Sequence, residues 1–553
     1  MNPAGMPAGS WVIISPGKNS GEWFPLAYRQ KGLDYSRVNA NAFRKWLQAK
    51  YGSDDRLAAA WGTHITFETA SIPLAEPGRF PIQSGTITRE AFYRLPQEQD
   101  WIDYSEYTSD ITVDRLLGVA RAAKEETHGK KLVALFYGYI FDLPGSMTGH
   151  LRFQRPAGSP DVDVLAAPIS YLPLSERMSG GAGGAMGAID SVAAHGKLWM
   201  NEDDLRTDLA GASSLPDAGY NGNLAAANAE ETSNLLQRNL ASVLVHRAGT
   251  WWMDLNAVGA FNDPGIWDIM SKIGEPEYRG LYSHPTRYEP EVAVIVDERS
   301  VLYQKSDWQM VALGRAYVRN TVAKVGASIG YYYLDDFIND IVPRCKVYLF
   351  ANTFFLDDRQ VAAIRSRLTR EGATAIWLYA PGYLGPSGPS LSRSEALTGI
   401  HMAMASGQCN NSATVAPGTL SVPPFTPRLV VSDPEATVLG RYACDQTIGR
   451  AKKRLGRETS VILGDFGWDA EFLRSIMRQA GVHIWIDGGE VVHTDGHVLA
   501  INSRKGGLSV IHLPDGVRAV PFPDHSARQD GRDLTVSFSA GQTLWFRISG
   551  ARR

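Results

Sequence analysis

Cysteine is scarce in this 553-residue chain, and long apolar segments are missing. Cys345, Cys409 and Cys444 are far apart and form no Cys-x-x-Cys pair, which argues against a structural zinc site or a disulfide framework and leaves room for a single disulfide. Since no run of about 20 apolar residues is present, we expect no membrane-spanning helix. The N-terminal segment has neither the basic nor the apolar part of a signal peptide, which favours a cytoplasmic location.

A strong excess of charge is also missing. The formal net charge is −3 and no long basic run occurs, which argues against nucleic acid or an anionic membrane as the main partner. With 44% hydrophobic and 20% charged residues, the composition is that of an ordinary globular protein. The length predicts two to four domains at roughly 100–250 residues each. The 14 Trp and 22 Tyr residues fit the stacking of aromatic rings on sugars, but composition alone favours core packing.

Motifs for cofactors and metals are incomplete. Residues 179–187 (SGGAGGAMG) match neither G-x-G-x-x-G nor a phosphate loop with G-K-[ST], so we predict a mobile barrel loop there. Asp495-Gly496 separates two strand-like segments, so His493 and His497 are predicted to flank a hairpin turn rather than to bind a metal. We expect no cofactor and no metal.

The order of predicted elements indicates an α/β architecture. Residues 36–50 form an amphipathic pattern with Ser36 as the N-cap, and another helix is predicted from Thr108 or Ser109 to Gly129. Buried strands are predicted at residues 11–14, 131–139, 161–171, 197–204 and 249–255, with a long helix at 223–246. Strands that alternate with helices in this way are parallel, and in a (β/α)₈ barrel the active site lies at their carboxyl ends.

The pattern restarts near residue 285 and changes again near residue 487. Between these points, strands are predicted at 291–298, 346–353 and 373–380, with helices between them, in the rhythm of a flavodoxin-like domain. This part has neither a nucleophile elbow nor a phosphate loop, so we assign it a structural or assembly role. From residue 487 onward, short alternating segments predict a small antiparallel β-sandwich.

Two carboxylates follow apolar strands closely. Glu22 precedes Trp23, and an aromatic wall raises the pKa of a carboxyl group so that it holds a proton near neutral pH. Glu202 lies in the segment WMNEDDLRT, in which Arg206 can keep a nucleophilic carboxylate ionised. The alternatives are a surface Glu in a Gly-rich loop and a solvated run of charges. Trp251 and Trp252 alternate across their strand, so only one of them can face a site.

These residues resemble glycoside hydrolase family 42, the trimeric β-galactosidase type, and its relatives in the same clan. GEWF and DYS, followed by AFRKWLQAKYGSDDRLAAAWGT, resemble the segment after the acid/base strand of that family. LAAPISY through GAIDSVAAHGKLWMNEDDLRT resembles its sixth and seventh strands, and GTWWMDL its eighth. Gly21-Glu22 replaces the usual Asn-Glu pair, and the cysteines do not reproduce the zinc site of some members. The subfamily and the sugar are therefore left open.

The resemblance implies a three-domain fold. Residues 1–284 would form a (β/α)₈ TIM barrel that begins with its fourth strand, so that the chain is N-terminally incomplete. Residues 285–486 would form a glutaminase-like α/β trimerisation domain, and residues 487–553 the small β-domain. The expected assembly is a homotrimer.

The resemblance also implies a retaining glycosidase that cleaves β-glycosidic bonds of an oligo- or polysaccharide, with Glu202 as nucleophile and Glu22 as general acid/base. Asn201, Asp204 and Arg206 would orient the nucleophile. The residues expected to line the sugar subsite are Trp23, Tyr137, Trp199 and Trp252. Two alternatives stay open: a carbohydrate-binding or scaffold protein without turnover, and a hydrolase with glutaminase-like chemistry, which lacks the necessary Cys-His-Glu set.

Overall fold

The computed structural model describes most of the chain. The described residues are 11–14, 20–21, 24–25, 33–74, 90–142, 148–172, 174–210, 224–255, 257–272, 287–305, 312–407, 409, 411–415, 418–422, 425–522 and 526–550. Glu22 and Trp23, which the sequence analysis assigned to the site, lie outside them. Within the described ranges, no helix is long and apolar enough to cross a membrane.

A parallel five-stranded sheet forms the first part of the fold, and its strand order follows the chain. The strands are β1 (Trp11–Ile14), β2 (Leu132–Phe136), β3 (Val164–Pro168), β4 (Leu198–Asp203) and β5 (Gly249–Trp252). All four neighbouring pairs are parallel, and β1 pairs directly with β2. In the described residues this sheet does not close, so the eight-stranded barrel stays a prediction.

Within the described ranges, seven helices accompany this sheet. They are α1 (Arg37–Tyr51), α2 (Asp54–Trp61), α3 (Gln99–Glu126), α4 (Gln154–Gly158), α5 (Ile189–Ala194), α6 (Ala229–Val245) and α7 (Pro264–Lys272), with a 3₁₀ turn at Leu174–Arg177. The Ser36 side chain accepts a hydrogen bond from the backbone N–H of Asn39, so the predicted N-cap of α1 is confirmed.

The predicted start of α3 is wrong. The helix begins at Gln99, and Thr108 and Ser109 are buried in its interior instead of capping it. The Thr108 hydroxyl donates to the carbonyl of Ser105, which satisfies it within the helix. Aromatic residues upstream, among them Trp101 and Tyr104, are buried and extend the apolar face by two turns.

The second sheet has seven strands. They are β6 (Val292–Val296), β7 (Ile329–Tyr333), β8 (Val347–Phe350), β9 (Thr374–Leu378), β10 (Thr437–Arg441), β11 (Ile448–Leu455) and β12 (Glu458–Leu463). Their order is β10-β11-β12-β9-β8-β6-β7, with β10 and β11 antiparallel at one edge. The parallel strands thus take the order 2-1-3-4-5, as in flavodoxin-like sheets.

In the part of the chain that the structure describes, six further helices pack around this sheet or link its strands. They are α8 (Glu298–Tyr303), α9 (Tyr317–Val322), α10 (Leu334–Ile338), α11 (Asp358–Glu371), α12 (Leu391–Thr398) and α13 (Ala470–Gln479). A π-helical turn at Ala312–Ala316 precedes α9. Two-stranded ribbons join Ser20–Gly21 to Phe24–Pro25, Leu384–Gly385 to Gly388–Pro389, Met402–Met404 to Leu429–Val431, and Asn411–Val415 to Gly418–Val422.

Two antiparallel sheets form the C-terminal part. Their strands are β13 (Val491–Thr494), β14 (Val498–Asn502), β15 (Gly507–His512), β16 (Arg518–Phe522), β17 (Ala527–Asp530), β18 (Asp533–Phe538) and β19 (Thr543–Ser549). The orders are β13-β14-β19-β16 and β15-β18-β17, and one apolar cluster joins both sheets. Asp495-Gly496 turns the chain between β13 and β14, as predicted.

The Gly-rich segment 179–187 is packed rather than mobile, which corrects the prediction of a mobile barrel loop. Ala182 and Met186 are buried, and a Cβ added at Gly181 would lie 2.2 Å from the carbonyl oxygen of Glu176. Added Cβ atoms at Gly180, Gly183 and Gly184 would lie 2.3 Å from Arg504, 2.7 Å from Arg238 of α6 and 3.0 Å from Arg319 of α9. These glycines allow three parts of the chain to meet closely.

Of the three cysteines, Cys409 and Cys444 form a disulfide with Cα atoms 5.7 Å apart. Cys345 is free and buried, and burial raises the pKa of its thiol. The single disulfide that the sequence analysis left open is thus present.

The packing of segment 179–187 can be tested with a pair of Gly variants. We expect Gly181→Ala to lower the free energy of unfolding by about 1–3 kcal/mol, because its methyl group overlaps backbone that cannot move freely. The matched control is Gly118→Ala in α3, where nothing lies within 4 Å of an added Cβ. There we expect a gain of about 0.5–1 kcal/mol from helix propensity. Equal thermal unfolding temperatures for Gly181→Ala and wild type would contradict the packed loop.

Candidate active site

Glu202 lies one residue before the end of β4, and the strand register shows which face of the sheet it occupies. Its Cα partners are Pro168 on β3 and Trp251 on β5. Partners in a sheet point to the same face, so Glu202 and Trp251 share one face with Met200 and Phe136. The rings of Phe136 and Trp251 meet edge to face with centroids 5.8 Å apart. These two aromatic residues and Met200 are half-buried, whereas Glu202 retains 8% of its exposure.

The opposite face of β4 is turned toward the helices. Trp199 Nε1 donates to Asn201 Oδ1 at 2.6 Å, and the Trp199 ring is so close to Gly187 that a Cβ there would lie 2.4 Å from it. On the same face, the Asp203 carboxylate accepts from Asn239 of α6 at 3.1 Å. Trp199 and Asn201 are therefore core residues behind the sheet, and they do not meet Glu202.

The two tryptophans at the end of β5 lie on opposite faces of the sheet, as Trp199 and Glu202 do on β4. Trp252 is the partner of Asp203 and packs into an apolar cluster that contains Leu205 and Phe261. Trp251, which the sequence analysis did not choose, is the residue on the face of Glu202. Strand alternation had restricted the choice to one tryptophan, but only the pairing register decides which one.

Tyr137 is fully buried and belongs to the core. Its hydroxyl accepts from the backbone N–H of Arg152 at 3.0 Å, and its ring stacks on His150 with centroids 5.0 Å apart. Burial lowers the pKa of His150 to about 3, and the ring accepts from the backbone N–H of Gly138 at Nδ1. Tyr137 is thus not placed beside Glu202.

Asp204 lies at the centre of a buried polar cluster. It accepts from the hydroxyl of Tyr171 and from Arg177 Nη2, the latter at 2.5 Å. Arg177 stacks over the Tyr171 ring at 4.7 Å and also donates to the Asp204 carbonyl at 2.8 Å. Burial acts to lower the pKa of Arg177, but the charge of Asp204 and its hydrogen bond, together with Tyr171 and Asp203, raise that pKa overall. The guanidinium ion therefore stays charged and compensates Asp204.

Glu202 lies close to this cluster. Burial, followed by the charge of Asp204, raises the pKa of Tyr171, and the charge of Glu202 adds to the same shift. Arg206 is half-buried, and burial together with the nearby Arg177 lowers its pKa. The structure thus brings Glu202, Asp204 and Arg206 together and adds Tyr171 and Arg177, which sequence reasoning missed.

The loop that carries Tyr171 is fixed from the second sheet. Arg319 of α9 donates to Asp142 at 2.8 Å and to Ser170 Oγ at 2.5 Å. The second oxygen of Asp142 accepts from the Ser170 hydroxyl at 2.8 Å and from the backbone N–H of Tyr171 at 2.9 Å. The direction of the Tyr171 side chain therefore depends on an ion pair between the two sheets.

The described residues do not offer a set of ligands for a metal ion. Within the ranges that the structure describes, no group of three His, Cys, Asp or Glu side chains is arranged to hold a metal ion. The polar cluster consists instead of matched charges and hydroxyl groups.

Comparison with known proteins reveals relatives by structure only. No family model matches the sequence, and no curated protein matches it. The β-galactosidase from Bacillus circulans sp. alkalophilus superposes with a TM-score of 0.62 at 14% identity, over 94% of this chain and 78% of that one. A family 42 β-galactosidase from G. stearothermophilus, crystallised as a catalytic mutant, gives a TM-score of 0.59 at 12% identity, over 93% and 76%.

The fold of the chain resembles that of solved family 42 β-galactosidases. A family 42 exo-carrageenase from Bacteroides ovatus also superposes, with a TM-score of 0.53 at 11% identity over 93% of this chain and 63% of that one. The shared feature is a mixed α/β fold with parallel sheets and helices, on which enzymes with different sugar substrates are built. At these identities the similarity concerns the fold alone.

The charge state of Asp203 gives a test of the buried side of β4. Burial raises the pKa of Asp203 from 3.8 to about 6. The unfolded chain therefore releases this proton near pH 4 and the native chain near pH 6, so the contribution of Asp203 to stability falls as the pH rises between these values. Asp203→Asn keeps an acceptor for Asn239 and removes the charge. We expect its stability relative to wild type to rise by up to about 3 kcal/mol from pH 4 to pH 6.

Urea unfolding of both proteins between pH 4 and pH 7 measures this difference. Asp530→Asn, at an exposed position of β17, is the matched control and should show no such trend. A constant stability difference between Asp203→Asn and wild type across the range would disprove the raised pKa.

Proposed function

We propose that this chain is a retaining β-glycosidase of the β-galactosidase type, with Glu202 as nucleophile and Glu22 as general acid/base. The observation that carries the proposal is the position of Glu202. It ends a parallel strand, on the sheet face that also holds Trp251, beside a buried cluster of Tyr171, Arg177 and Asp204, in a fold of the family 42 type.

In this mechanism Glu202 attacks the anomeric carbon while Glu22 donates a proton to the leaving oxygen. Glu22 then removes a proton from the water that hydrolyses the glycosyl-enzyme. A retaining pair needs its carboxyl groups about 5–5.5 Å apart. The Asp204 charge next to Glu202 is compensated by Arg177, so it disfavours the ionised nucleophile less than an unpaired carboxylate would.

The sugar would lie on the side of Glu202. Trp251 offers an aromatic face there, and the Tyr171 hydroxyl fixes Asp204 behind the carboxylate. A galactoside is the substrate class that the fold neighbours suggest. The assembly as a homotrimer and the domain limits at residues 284 and 486 stay predictions that belong to the same proposal.

The roles of the two glutamates can be separated by mutation. We expect Glu202→Ala to reduce turnover of every substrate by at least about 10³-fold, because no glycosyl-enzyme can form. Glu22→Ala should reduce turnover of alkyl galactosides by about 10²–10⁴-fold and spare the first step for aryl galactosides, whose leaving group needs little protonation. Azide needs no base, so it should restore turnover of the aryl substrate by Glu22→Ala and yield a β-galactosyl azide.

Glu230→Ala is the matched control, since Glu230 is exposed at the start of α6. It should retain wild-type kcat/KM for both substrates. If azide restores turnover of Glu202→Ala and gives an α-azide, the assignment of Glu202 as nucleophile is supported. If azide does not restore turnover of Glu22→Ala, the assignment of Glu22 as general acid/base is refuted. Sugar binding by the wild type without hydrolysis of any aryl glycoside would instead favour a carbohydrate-binding protein.

The two tryptophans of β5 should behave differently. Trp251→Ala removes an aromatic face on the Glu202 side, so we expect KM for an aryl galactoside to rise about three- to tenfold with little change in unfolding temperature. Trp252→Ala removes a half-buried ring that packs against the cluster around Leu205 and Phe261, so it should lower the stability by about 1–3 kcal/mol. The opposite pattern would show that Trp252 faces the substrate.

A further inference from the structure

A polar groove of about 430 Å³ opens between α13 and the edge of the second sheet. It is lined by residues of β9, β10, β11 and β12 and by the last turn of α13. It shares no lining residue with the candidate active site. The volume lies in the range of pockets that hold small ligands.

The register of the strands defines the floor of this groove. Lys452 on β11 is the partner of Thr437 on β10, and two residues further along β11 Arg454 is the partner of Thr459 on β12. Thr459 is in turn the partner of Thr374 on β9. These side chains all point to one face, so the two cationic groups of β11 lie between hydroxyl groups of β10 on one side and of β12 and β9 on the other.

The groove has a surplus of positive charge. The one carboxylate among its described lining residues is that of Glu435, which forms an ion pair with Lys453 Nζ at 2.8 Å. The same Nζ forms a second ion pair with Asp433 at 2.9 Å. Lys452 Nζ donates to Gln479 Oε1 at 2.8 Å, and Arg454 Nε to the carbonyl of Gly456 at 3.0 Å.

Neither Lys452 nor Arg454 forms an ion pair with any residue that the structure describes. Two donors of Lys452 and the terminal nitrogens of Arg454 are therefore left for a ligand.

The hydroxyl groups of the floor are also available. Within the described ranges, those of Thr374, Thr437 and Thr459 have no hydrogen-bond partner. None of these three hydroxyl oxygens is a fully buried atom without a hydrogen-bond partner. A ligand that fits must therefore supply an anion for the cations and several groups that both donate and accept hydrogen bonds.

We propose that this groove is a binding site for a saccharide that carries a sulfate or carboxylate group. A sugar ring supplies the hydroxyl groups, and its anionic substituent supplies the charge that Lys452 and Arg454 lack. None of the described residues that line the groove is aromatic, so a neutral sugar would have no ring to stack on and would bind weakly. The site goes beyond the proposed hydrolase activity and uses none of its residues.

Isothermal titration calorimetry on the full chain tests this site without any need for turnover. The probes are a sulfated galacto-disaccharide, the same disaccharide without sulfate, inorganic sulfate and a short poly-aspartate peptide. The variant Lys452→Gln/Arg454→Gln removes both cations. Lys505→Gln/Arg528→Gln, at exposed positions of the C-terminal sheets, is the control with the same change in net charge.

We expect the sulfated disaccharide to bind wild type and the control equally. Its Kd should rise about 100-fold in the Lys452/Arg454 variant, at about tenfold for each charge-assisted hydrogen bond lost. The unsulfated sugar should bind at least about tenfold more weakly. Equal Kd values in wild type and the Lys452/Arg454 variant would overturn the site.

Inorganic sulfate that binds as tightly as the sulfated sugar would reduce the groove to an ion site and overturn the saccharide. Tighter binding of the peptide at these two residues would assign the groove to an acidic protein segment instead. Because only binding is measured, a failure of the proposed hydrolase leaves these outcomes unaffected.

Discussion

The guanidinium group of Arg319 lies buried between the second sheet and the loops that follow the strands of the first. A buried arginine is stable only if its donors find acceptors, and Asp142, Ser170 and two backbone carbonyls supply them here. These acceptors come from separate loops of the first sheet. The loops must therefore approach α9 closely, and glycine at position 184 makes room, since a Cβ there would lie 3.0 Å from the Arg319 side chain.

This constraint gives the second sheet a part in shaping the candidate site. From the sequence we assigned residues 285–486 to structure or assembly, because they contain no nucleophile or phosphate loop. The ion pair of Arg319 with Asp142 also holds Ser170 and Tyr171, and Tyr171 in turn binds Asp204. A path of hydrogen bonds thus runs from α9 to the residue two positions after Glu202. The second sheet positions polar groups that it does not itself contribute.

Much of the fold could be predicted because apolar periodicity is a local property. The strands around residues 132–136, 164–168, 198–203 and 249–252 follow directly from short apolar runs, and Ser36 signals its helix through a side chain that bonds three residues ahead. The start of α3 was missed because Thr108 resembles a cap in sequence, whereas burial of Trp101 and Tyr104 carries the helix upstream. Glu202 was singled out by its position at the end of an apolar run.

Other parts of the candidate site could not be predicted from local sequence patterns. Tyr171 and Arg177 lie on a loop and a 3₁₀ turn, where no period marks a functional side chain, and they reach Asp204 only through tertiary contacts. Trp199 and Trp252 were chosen for their residue type, but the pairing register places them behind the sheet with Asn201. Tyr137 follows β2, and its buried ring packs against His150. An aromatic residue type can suggest that a side chain stacks on a sugar, but only the strand register shows which face of the sheet that side chain occupies.

The Cys409–Cys444 disulfide links the stability of the second sheet to the redox state of its surroundings. It closes a loop across a sequence separation of 35 residues, which in the chain-entropy description contributes about 3–4 kcal/mol. Disulfides persist in oxidising compartments and are reduced in a normal cytoplasm, so this bond should be closed in the first and open in the second. Reduction would free the segment between Cys409 and Cys444, which leads from α12 to β11. The five strands of the first sheet contain no cysteine, so a change of compartment should alter the edge of the second sheet and leave the first sheet unchanged.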